Sequence, residues 1–228
     1  MYLKKEQITN FESINLEQVI EVSNGYHILK RAIDIFVSLL GIVMLSFVFL
    51  SLFLLIKITS KGPALYKDSR VGKDGKEIKI NKFRTMYIDA SNLDKYLTKQ
   101  QKEIFLKERK LDDDPRITKV GKFLRKTSLD ELPQLFDILK GKISLVGPRP
   151  ITKKELDLNY SKKEAKLLTS AKPGLTGCWQ VLGRNNLNYA SGNRQRAELS
   201  YFLKRSIRYD FNLVLLTIPA VLKRDGAK

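Results

Sequence analysis

Residues 35–56 read IFVSLLGIVMLSFVFLSLFLLI, a run of 22 residues without a charged side chain. As an α-helix this run would be about 33 Å long, close to the hydrocarbon thickness of a bilayer. A secretory signal peptide starts earlier, is shorter and ends at a small-residue cleavage site, so that interpretation fits poorly. The run could also be a buried core helix of a soluble protein, but helices of this length and apolarity are typical of membranes. We therefore predict that the segment inserts into a membrane.

The charges on both sides of the run predict how it is oriented. Lys30 and Arg31 precede it, and a larger basic cluster follows it between Lys57 and Lys76. The larger cluster places the chain after the run in the cytoplasm. A re-entrant helix would keep both basic ends on that side, whereas a straight span would put Lys30 and Arg31 outside. No proline enforces a bend, but three small residues could support one: Gly41, Ser46 and Ser51.

The composition restricts the chemistry that the rest of the chain can perform. The chain has 42 Lys and Arg against 24 Asp and Glu, a formal charge of +18. This excess predicts an anionic partner: nucleic acid, an acidic membrane surface or a phosphorylated substrate. A single cysteine, Cys178, and a single histidine, His27, exclude an internal disulfide and disfavour a zinc site. A catalytic metal would need oxygen ligands, which favours Mg²⁺, with Mn²⁺ as the alternative.

After the apolar run the pattern predicts an α/β fold that is mostly helical with short strands. Residues 64–70 and 77–83 have strand composition, and Gly72-Lys73-Asp74-Gly75 between them is typical of a hairpin loop. Residues 117–126 are predicted to form a basic amphipathic helix that suits a membrane surface, with a charged face over a core as the alternative. Residues 211–222 are predicted to form a second interfacial helix or a packing helix. The remaining predicted elements are helices over residues 86–111, from Asp130, over 152–170 and over 193–206, and a strand over 143–146.

These patterns divide the chain into three parts. Residues 1–25 form a polar N-terminal extension, residues 26–58 the membrane-inserted helix, and residues 59–228 a cytoplasmic catalytic domain. The expected architecture is a small α/β domain with one inserted helix and amphipathic interfacial helices around it.

Two adjacent carboxylates at a predicted helix start are the clearest candidates for chemistry. They lie in Ser128-Leu129-Asp130-Glu131-Leu132-Pro133-Gln134-Leu135. The spacing also fits a structural capping box between Ser128 and Glu131, or Asp130 as the helix cap. Capping does not exclude function, because a helix N-terminus keeps a carboxylate ionised, as a nucleophile or a magnesium ligand must be.

Basic residues that could bind phosphate occur in three nearby motifs. In Gly147-Pro148-Arg149-Pro150, two prolines hold the arginine on a stiff backbone that suits bidentate phosphate binding. Lys82 and Arg84 follow a predicted strand, and Arg125 precedes Asp130 by five residues. Each motif has a structural alternative, a rigid turn or a solvated basic strand end.

Taken together, these motifs resemble the bacterial sugar transferases, the small monotopic phosphoglycosyl transferases that act on polyprenol phosphate. The likeness runs from about Tyr26 to Lys228 and rests on five segments: LKRAIDIFVSLLG, LIKITSKGPALYKDSRVG, NKFRTM, DDPRITKVGKFLRKTSLDELPQLFDILKGKISLVGPRP and KPGLTGCWQVLGRN. Family members commonly carry Ser-Pro in the middle of the membrane helix, whereas this chain has Ser46-Phe47. Because serine can bend a helix by bonding to the backbone, the resemblance and the flanking charges favour the re-entrant form.

The resemblance implies a two-step reaction at the cytoplasmic face of the bacterial inner membrane. Asp130 would attack the β-phosphate of a UDP-sugar, release UMP and pass the phosphosugar to undecaprenyl phosphate. Glu131 matches the residue that binds Mg²⁺. The expected substrate-binding residues, some matched to the family and some read from the motifs, are Lys82, Arg84, Arg125, Arg149, Gln180, Arg184 and Asp210. A structural turn at Gly183 is an equally good explanation of Gln180 and Arg184.

The expected partners are a UDP-sugar, undecaprenyl phosphate and membrane lipids. The resemblance also allows a homodimer and downstream glycosyltransferases. The segment WQVLGRN, with Tyr189 and Arg194 beyond it, resembles hexose-1-phosphate transferases more than the acetamido-sugar branch. Galactose or glucose is therefore the expected sugar, in a first step of exopolysaccharide, capsule or glycan assembly.

Two other functions are open to the sequence. Asp112-Asp113-Asp114 contains an Asp-x-Asp spacing, so the alternative is a metal-dependent glycosyltransferase that releases UDP; a solvated helix end before Pro115 explains the same run. The charge also permits a membrane-tethered nucleic-acid binder. We predict no nucleic-acid partner, because the sequence has no aromatic-plus-basic RNA motif and no recognition-helix signature.

Overall fold

The structure, a computed structural model, describes residues 19–108, 111, 113–182 and 187–222. Its α-helices are α1 (Asn24–Met44), α2 (Ser46–Thr59), α3 (Leu93–Tyr96), α4 (Lys99–Glu108), α5 (Lys119–Thr127), α6 (Gln134–Leu139), α7 (Lys153–Asn159), α8 (Lys162–Thr169), α9 (Cys178–Leu182), α10 (Asn193–Leu199) and α11 (Ile207–Leu222). Its strands are β1 (Leu65–Val71), β2 (Glu77–Phe83), β3 (Ser144–Val146) and β4 (Gly174–Thr176). The mostly helical α/β fold with short strands is confirmed.

The strands form two small sheets of two strands each. β1 and β2 form the predicted antiparallel hairpin, with Tyr66 opposite Lys82. β3 pairs in parallel with β4, a strand that was not predicted because its opening Gly174 follows Pro173 and this dipeptide is typical of a turn. Parallel strands end at the same edge of a sheet, so the segments that follow Val146 and Thr176 lie close together.

The apolar run forms two helices rather than one. α1 and α2 are bent by 63° relative to each other, and together they have the length and composition of a broken span or a re-entrant loop. Among the described residues, no single helix is long and apolar enough to cross a membrane. Met44 and Phe47, on the two sides of the bend, are 74% and 78% exposed. The bend therefore presents apolar side chains that suit a lipid environment.

Packing on the rest of the fold explains a bend that contains no proline. Gly41 lets α1 approach α6 closely, since a Cβ at this position would lie 3.1 Å from a methyl carbon of Leu135. On α2, Ile56 is buried in one cluster with Phe83 of β2 and Leu124 of α5. α2 also reaches α6 through a contact between one phenylalanine ring of each helix. The second half of the run thus packs mainly on β2 and α5, whereas the first half packs mainly on α6, and the chain changes direction between the two halves.

Two basic residues attach the beginning of α1 to the rest of the fold. Lys30 forms an ion pair of 2.6 Å with Asp210 of α11. Arg31 donates to the backbone oxygens of Ile138 and Leu139 at 2.7 and 2.8 Å, which satisfies carbonyls at the end of α6. The first turns of α1 are therefore held against α11 and the end of α6.

Asp34 is a buried carboxylate at the start of the apolar run. It accepts hydrogen bonds from Ser144 Oγ at 3.1 Å and from the Leu145 backbone N–H at 3.0 Å. Burial of a carboxylate is tolerated only with such partners. These bonds hold α1 against β3.

Two helix predictions were wrong at their N-terminal ends. The structure has no helix over residues 86–92; α3 begins after Asn92, whose side chain accepts from the Lys95 backbone N–H at 3.3 Å. Asp130 lies in a 3₁₀ turn, Leu129–Glu131, and α6 begins only at Gln134. Turn residues that bond to the local backbone compete with helix formation in the first case.

The two predicted surface helices are α5 and α11. α5 buries Leu124 and exposes 52% of Phe123. α11 exposes 60% of Phe211 and contains Pro219. Both helices thus carry apolar side chains on their outer faces, and their placement at a membrane surface stays a prediction.

Candidate active site

A cavity of about 760 Å³ lies between the hairpin, the segment that follows it and the turn at Asp130. Seven of the predicted site residues line it: Lys82, Arg84, Arg125, Asp130, Glu131, Arg149 and Gln180. Arg184 lies outside the described residues. Tertiary structure thus brings together motifs that are far apart in the sequence.

A residue in the left-handed conformation positions the two adjacent carboxylates. Ser128 ends α5 with φ 59° and ψ 15°, and the chain continues into the 3₁₀ turn. Leu129 and Leu132 pack into the core, while Asp130 and Glu131 between them line the cavity. Neither predicted capping role is observed: the Ser128 side chain makes no cap bond and α6 follows Pro133. Backbone outliers of this kind cost about 1–3 kcal/mol and cluster at functional sites.

Lys82 lies between two carboxylates of the cavity. Its Nζ atom is 3.3 Å from Glu131 Oε1 and 3.8 Å from Asp68 Oδ2, and Arg70 donates to the same Asp68 oxygen at 2.7 Å. Tyr66, Asp68 and Arg70 alternate along β1, so their side chains share one face, and all three line the cavity. Sequence reasoning missed them, although the alternation opposite Lys82 was a usable signal.

Asp130 lies in a conflicting electrostatic environment. Burial, followed by the charge of Glu131, raises the pKa of Asp130 to about 6, while the attraction of Lys82 and Arg125 lowers it. The carboxylate is therefore mostly ionised at pH 7 but easily protonated below it. A perturbed carboxyl in a cavity lined by cations is typical of a functional site.

Arg125 is held at the cavity by the close packing of α5 on Thr85. Its Nε atom donates to Thr85 Oγ1 at 2.9 Å. Gly121, one turn earlier, faces the Thr85 backbone, and a Cβ there would lie 1.9 Å from the Thr85 carbonyl oxygen. The absence of a side chain at Gly121 thus allows the approach that positions Arg125.

Gly121→Ala is expected to destabilise the fold by about 1–3 kcal/mol or more, because the added methyl overlaps backbone that cannot rotate away. Displacement of α5 should also reduce activity. Thermal unfolding in detergent micelles measures the first effect, with Gly25→Ala as control, since its Cβ would meet only Ser23 Oγ at 3.6 Å. Equal melting temperatures for Gly121→Ala and wild type would contradict the packing argument.

Arg149 is fixed by a contact with an aromatic ring and by a hydrogen bond from its backbone. Its guanidinium lies 4.3 Å from the centre of the Trp179 ring, and its backbone N–H donates to Glu198 Oε2 at 2.9 Å. Burial raises the pKa of Glu198 to about 7, against the Arg149 N–H bond and the charge of Arg194. No local pattern marks Glu198, which is flanked by an alanine and a leucine in a short helix.

The arrangement is a cavity in which three carboxylates, of Asp68, Asp130 and Glu131, face several fixed cations. Binding and transfer of a phosphorylated group require such a site. The family model described as bacterial sugar transferase matches residues 25–224. The chain belongs to this family.

Individual relatives cover nearly the same part of the chain. A galactosyl transferase of Streptococcus agalactiae is 42% identical over 88% of this chain and 44% of its own length. An undecaprenyl-phosphate galactose phosphotransferase of Salmonella typhimurium is 42% identical over 87% of this chain and 41% of its own length. An exopolysaccharide production protein of Sinorhizobium fredii is 40% identical, with 87% of each chain covered. The chain thus spans less than half the length of the first two relatives.

Arg84 of this sugar transferase has a second set of contacts besides the cavity. Its Nη2 atom donates to the Ser60 backbone oxygen at 2.8 Å and to Ser60 Oγ at 2.9 Å, and its Nη1 atom donates to the Lys61 oxygen. The guanidinium is therefore occupied in holding the end of α2. Its predicted binding of substrate would require these bonds to be shared or broken.

Asp210 does not lie with the other predicted site residues. It accepts hydrogen bonds from Tyr26 and Tyr201 at 3.1 and 3.0 Å and pairs with Lys30, and none of these side chains lines the cavity. In this position Asp210 anchors the beginning of α1. The structure therefore supports a structural contact for Asp210 and gives no support to its predicted substrate contact, because α11 packs on α1 away from the cavity.

The active-site cavity contains carboxylate oxygens, which are the ligands that a hard cation such as Mg²⁺ prefers. Among the described residues, no group of three or more His, Cys, Asp or Glu side chains could hold a metal by itself. Asp130 and Glu131 supply carboxylate oxygens, and Mg²⁺ is commonly held by one or two carboxylates together with substrate phosphates. These residues therefore fit Mg²⁺ that binds with a phosphorylated substrate.

The acidic run that favoured a UDP-releasing glycosyltransferase is occupied in structural ion pairs. Asp114 is buried and accepts from Arg116 Nε and Nη2 at 2.8 and 2.6 Å. Asp113 pairs with Lys122 at 2.6 Å. Neither lines the cavity, and Asp112 lies outside the described residues. This geometry favours the structural explanation of the run.

Proposed function

We propose that this sugar transferase moves a hexose-1-phosphate from a UDP-sugar to undecaprenyl phosphate and releases UMP. The observation that carries the proposal is the meeting of the Asp130 carboxylate with Lys82, Arg125 and Arg149 in one cavity. The names of the relatives, which include a galactosyl transferase and an undecaprenyl-phosphate galactose phosphotransferase, support the same reaction class.

In the first proposed step, a carboxylate oxygen of Asp130 attacks the β-phosphorus of the UDP-sugar. The bond from this phosphorus to the bridging oxygen breaks, and UMP leaves with that oxygen. The sugar phosphate is then bound to Asp130 as an acyl phosphate. In the second step, a phosphate oxygen of undecaprenyl phosphate attacks the same phosphorus, which regenerates the carboxylate and yields undecaprenyl diphosphate sugar.

The cations of the cavity would position the diphosphate and balance its charge. Arg149 suits a bidentate contact with phosphate because Trp179 and Glu198 fix it, and Lys82 is close to Glu131. Glu131 would hold Mg²⁺, which when bound neutralises charge on the diphosphate. Positioning and charge neutralisation are the main contributions that phosphoryl transfer needs.

The bent helix pair would bring a lipid acceptor close to the active-site cavity. Arg84 links the cavity to the end of α2, and exposed apolar residues such as Tyr66 and Ile88 line the cavity. We propose that α1 and α2 enter the inner membrane as a re-entrant segment with the cavity at its cytoplasmic face. The homodimer and the downstream glycosyltransferase partners stay predictions.

The nucleotide product tests the proposed reaction. The full chain in detergent is supplied with UDP-galactose or UDP-glucose, undecaprenyl phosphate and Mg²⁺, and the nucleotides are separated by chromatography. UMP is the expected product, in equal amount to the lipid diphosphate sugar. Formation of UDP would show that only the sugar moved and would overturn the aspartyl mechanism.

The first half-reaction is expected to rise with pH from 5 to 7, with a midpoint near 6. The carboxylate of Asp130 must be ionised to attack, and its raised pKa leaves it mostly protonated below the midpoint. UMP release without lipid acceptor is the suitable measurement, since it removes the titration of undecaprenyl phosphate. Far-ultraviolet circular dichroism across the same range controls for unfolding. A flat profile between pH 5 and 7 would contradict the assignment.

A further inference from the structure

A second cavity of about 230 Å³ lies beside the N-terminal half of α1, away from the active-site cavity. None of its lining residues belongs to the first cavity. Its charged lining consists of five basic side chains and one carboxylate: Lys30, Arg31, Lys73, Lys172, Arg205 and Asp34. Lys73, Lys172 and Arg205 have no role in the proposed reaction.

The positive charge in this second cavity is largely uncompensated. Only Lys30 has an acidic partner within 4 Å among the described residues, and that partner is Asp210. Asp34 is occupied by its bonds to Ser144 and Leu145. The other basic side chains that line the cavity thus lack a close counter-charge in the part of the chain that the structure describes.

Two of these cations converge on one point. A Cβ placed on Gly141 would lie 3.3 Å from both Arg31 Nη2 and Lys172 Nζ. Burial, followed by the charges of Arg31 and Lys73, lowers the pKa of Lys172, against the attraction of Asp34. An anion in the cavity would relieve this repulsion and accept hydrogen bonds from several donors.

We propose that this second cavity is a binding site for a phosphate group, distinct from the active site. A bound phosphate would connect α1 to the loops that carry Lys73 and Lys172. The group could come from an anionic phospholipid or from free phosphate. Ile28 and Leu29, which lie on α1 between the lining residues His27 and Lys30, are 71% and 50% exposed. Exposed apolar residues next to basic ones are the amphipathic setting of a lipid headgroup. The inference does not rest on the proposed sugar transfer.

The experiment compares two variants of the full chain with equal loss of charge. Lys73→Gln/Lys172→Gln alters the second cavity, and Lys76→Gln/Lys163→Gln removes two exposed lysines that do not line it. Both variants keep the active site, so any difference between them reports the second cavity. In one arm, inorganic phosphate is titrated at constant ionic strength and the melting temperature is followed. In the other, native mass spectrometry counts phosphatidylglycerol retained from mixed phosphatidylglycerol and phosphatidylcholine micelles.

Wild type is expected to bind phosphate, phosphatidylglycerol or both. Lys73→Gln/Lys172→Gln should bind the same probe at least about tenfold more weakly than the control variant, since two lysine contacts are lost. Its melting temperature without either probe should equal or exceed that of wild type, because a repulsion is removed. Retention of phosphatidylglycerol alone identifies a lipid source, and stabilisation by phosphate alone identifies a soluble one. The proposal is overturned if wild type binds neither probe or if the two variants bind equally.

Discussion

Asp130→Asn is expected to reduce turnover by about a thousandfold or more, because removal of a covalent nucleophile leaves only binding and charge stabilisation. The amide cannot form the acyl phosphate that the proposed reaction requires. The variant should release no UMP from UDP-sugar without acceptor, and intact-protein mass spectrometry should show no addition of one hexose phosphate. Wild type should show both.

The fold of Asp130→Asn is expected to be intact. The pKa of Asp130 is raised in the folded state, so the ionised carboxylate opposes folding above that pKa, and at pH 7 the asparagine variant should melt at or above the wild-type temperature. Asp113→Asn is the matched control, because it makes the same chemical change at an exposed aspartate that pairs with Lys122 outside the cavity. This variant should retain activity. More than a tenth of wild-type turnover in Asp130→Asn would refute the role of Asp130 as nucleophile. Loss of the variant protein from the membrane fraction would contradict the expectation that its fold is intact.

Glu131→Gln is expected to lower turnover by about a hundredfold at ordinary Mg²⁺ concentration, since loss of a metal-binding carboxylate weakens metal affinity and charge neutralisation. Added Mg²⁺ should recover part of the rate, with a midpoint shifted to higher concentration. Glu103→Gln, an exposed change on α4, should leave both the rate and the Mg²⁺ midpoint unchanged.

A second measurement separates a metal role of Glu131 from a role in tuning Asp130. The charge of Glu131 raises the pKa of Asp130, so Glu131→Gln should move the pH midpoint of UMP release below that of wild type. A lower midpoint with unchanged Mg²⁺ dependence would assign Glu131 a purely electrostatic role. An unchanged Mg²⁺ titration would therefore reject the proposed metal contact.

The sequence predicted most of the active-site residues because each lies in a short motif of unusual chemistry. An adjacent pair of carboxylates and an arginine between prolines are visible without knowledge of the fold. Asp68 could have been found, because it alternates with Tyr66 on the strand of the predicted hairpin that pairs with Lys82. Glu198 carries no such mark, since it follows an alanine in a short helix. Its proximity to Arg149 depends on long-range packing, which local patterns do not encode.

Local patterns also misplaced the backbone around the reactive carboxylates. The capping signal at Ser128 predicted a helix that includes Asp130, but Ser128 instead adopts a left-handed conformation that ends α5. Burial of Leu129 and Leu132 favours the 3₁₀ turn, because it directs both leucines to the core and the carboxylates to the cavity.

The sequence by itself determined the apolar run, the β1–β2 hairpin, the excess of positive charge and the motifs that identify the family. Each depends on residues that are near neighbours in the chain, so composition and periodicity report it directly. The tertiary structure decided the bend between α1 and α2, the separation of Asp210 from the active site and the second basic cavity. These features arise where distant segments compete for the same packing surface: α1 packs on α6, α2 packs on α5, and the charges of Lys30 and Arg31 bind partners more than a hundred residues away.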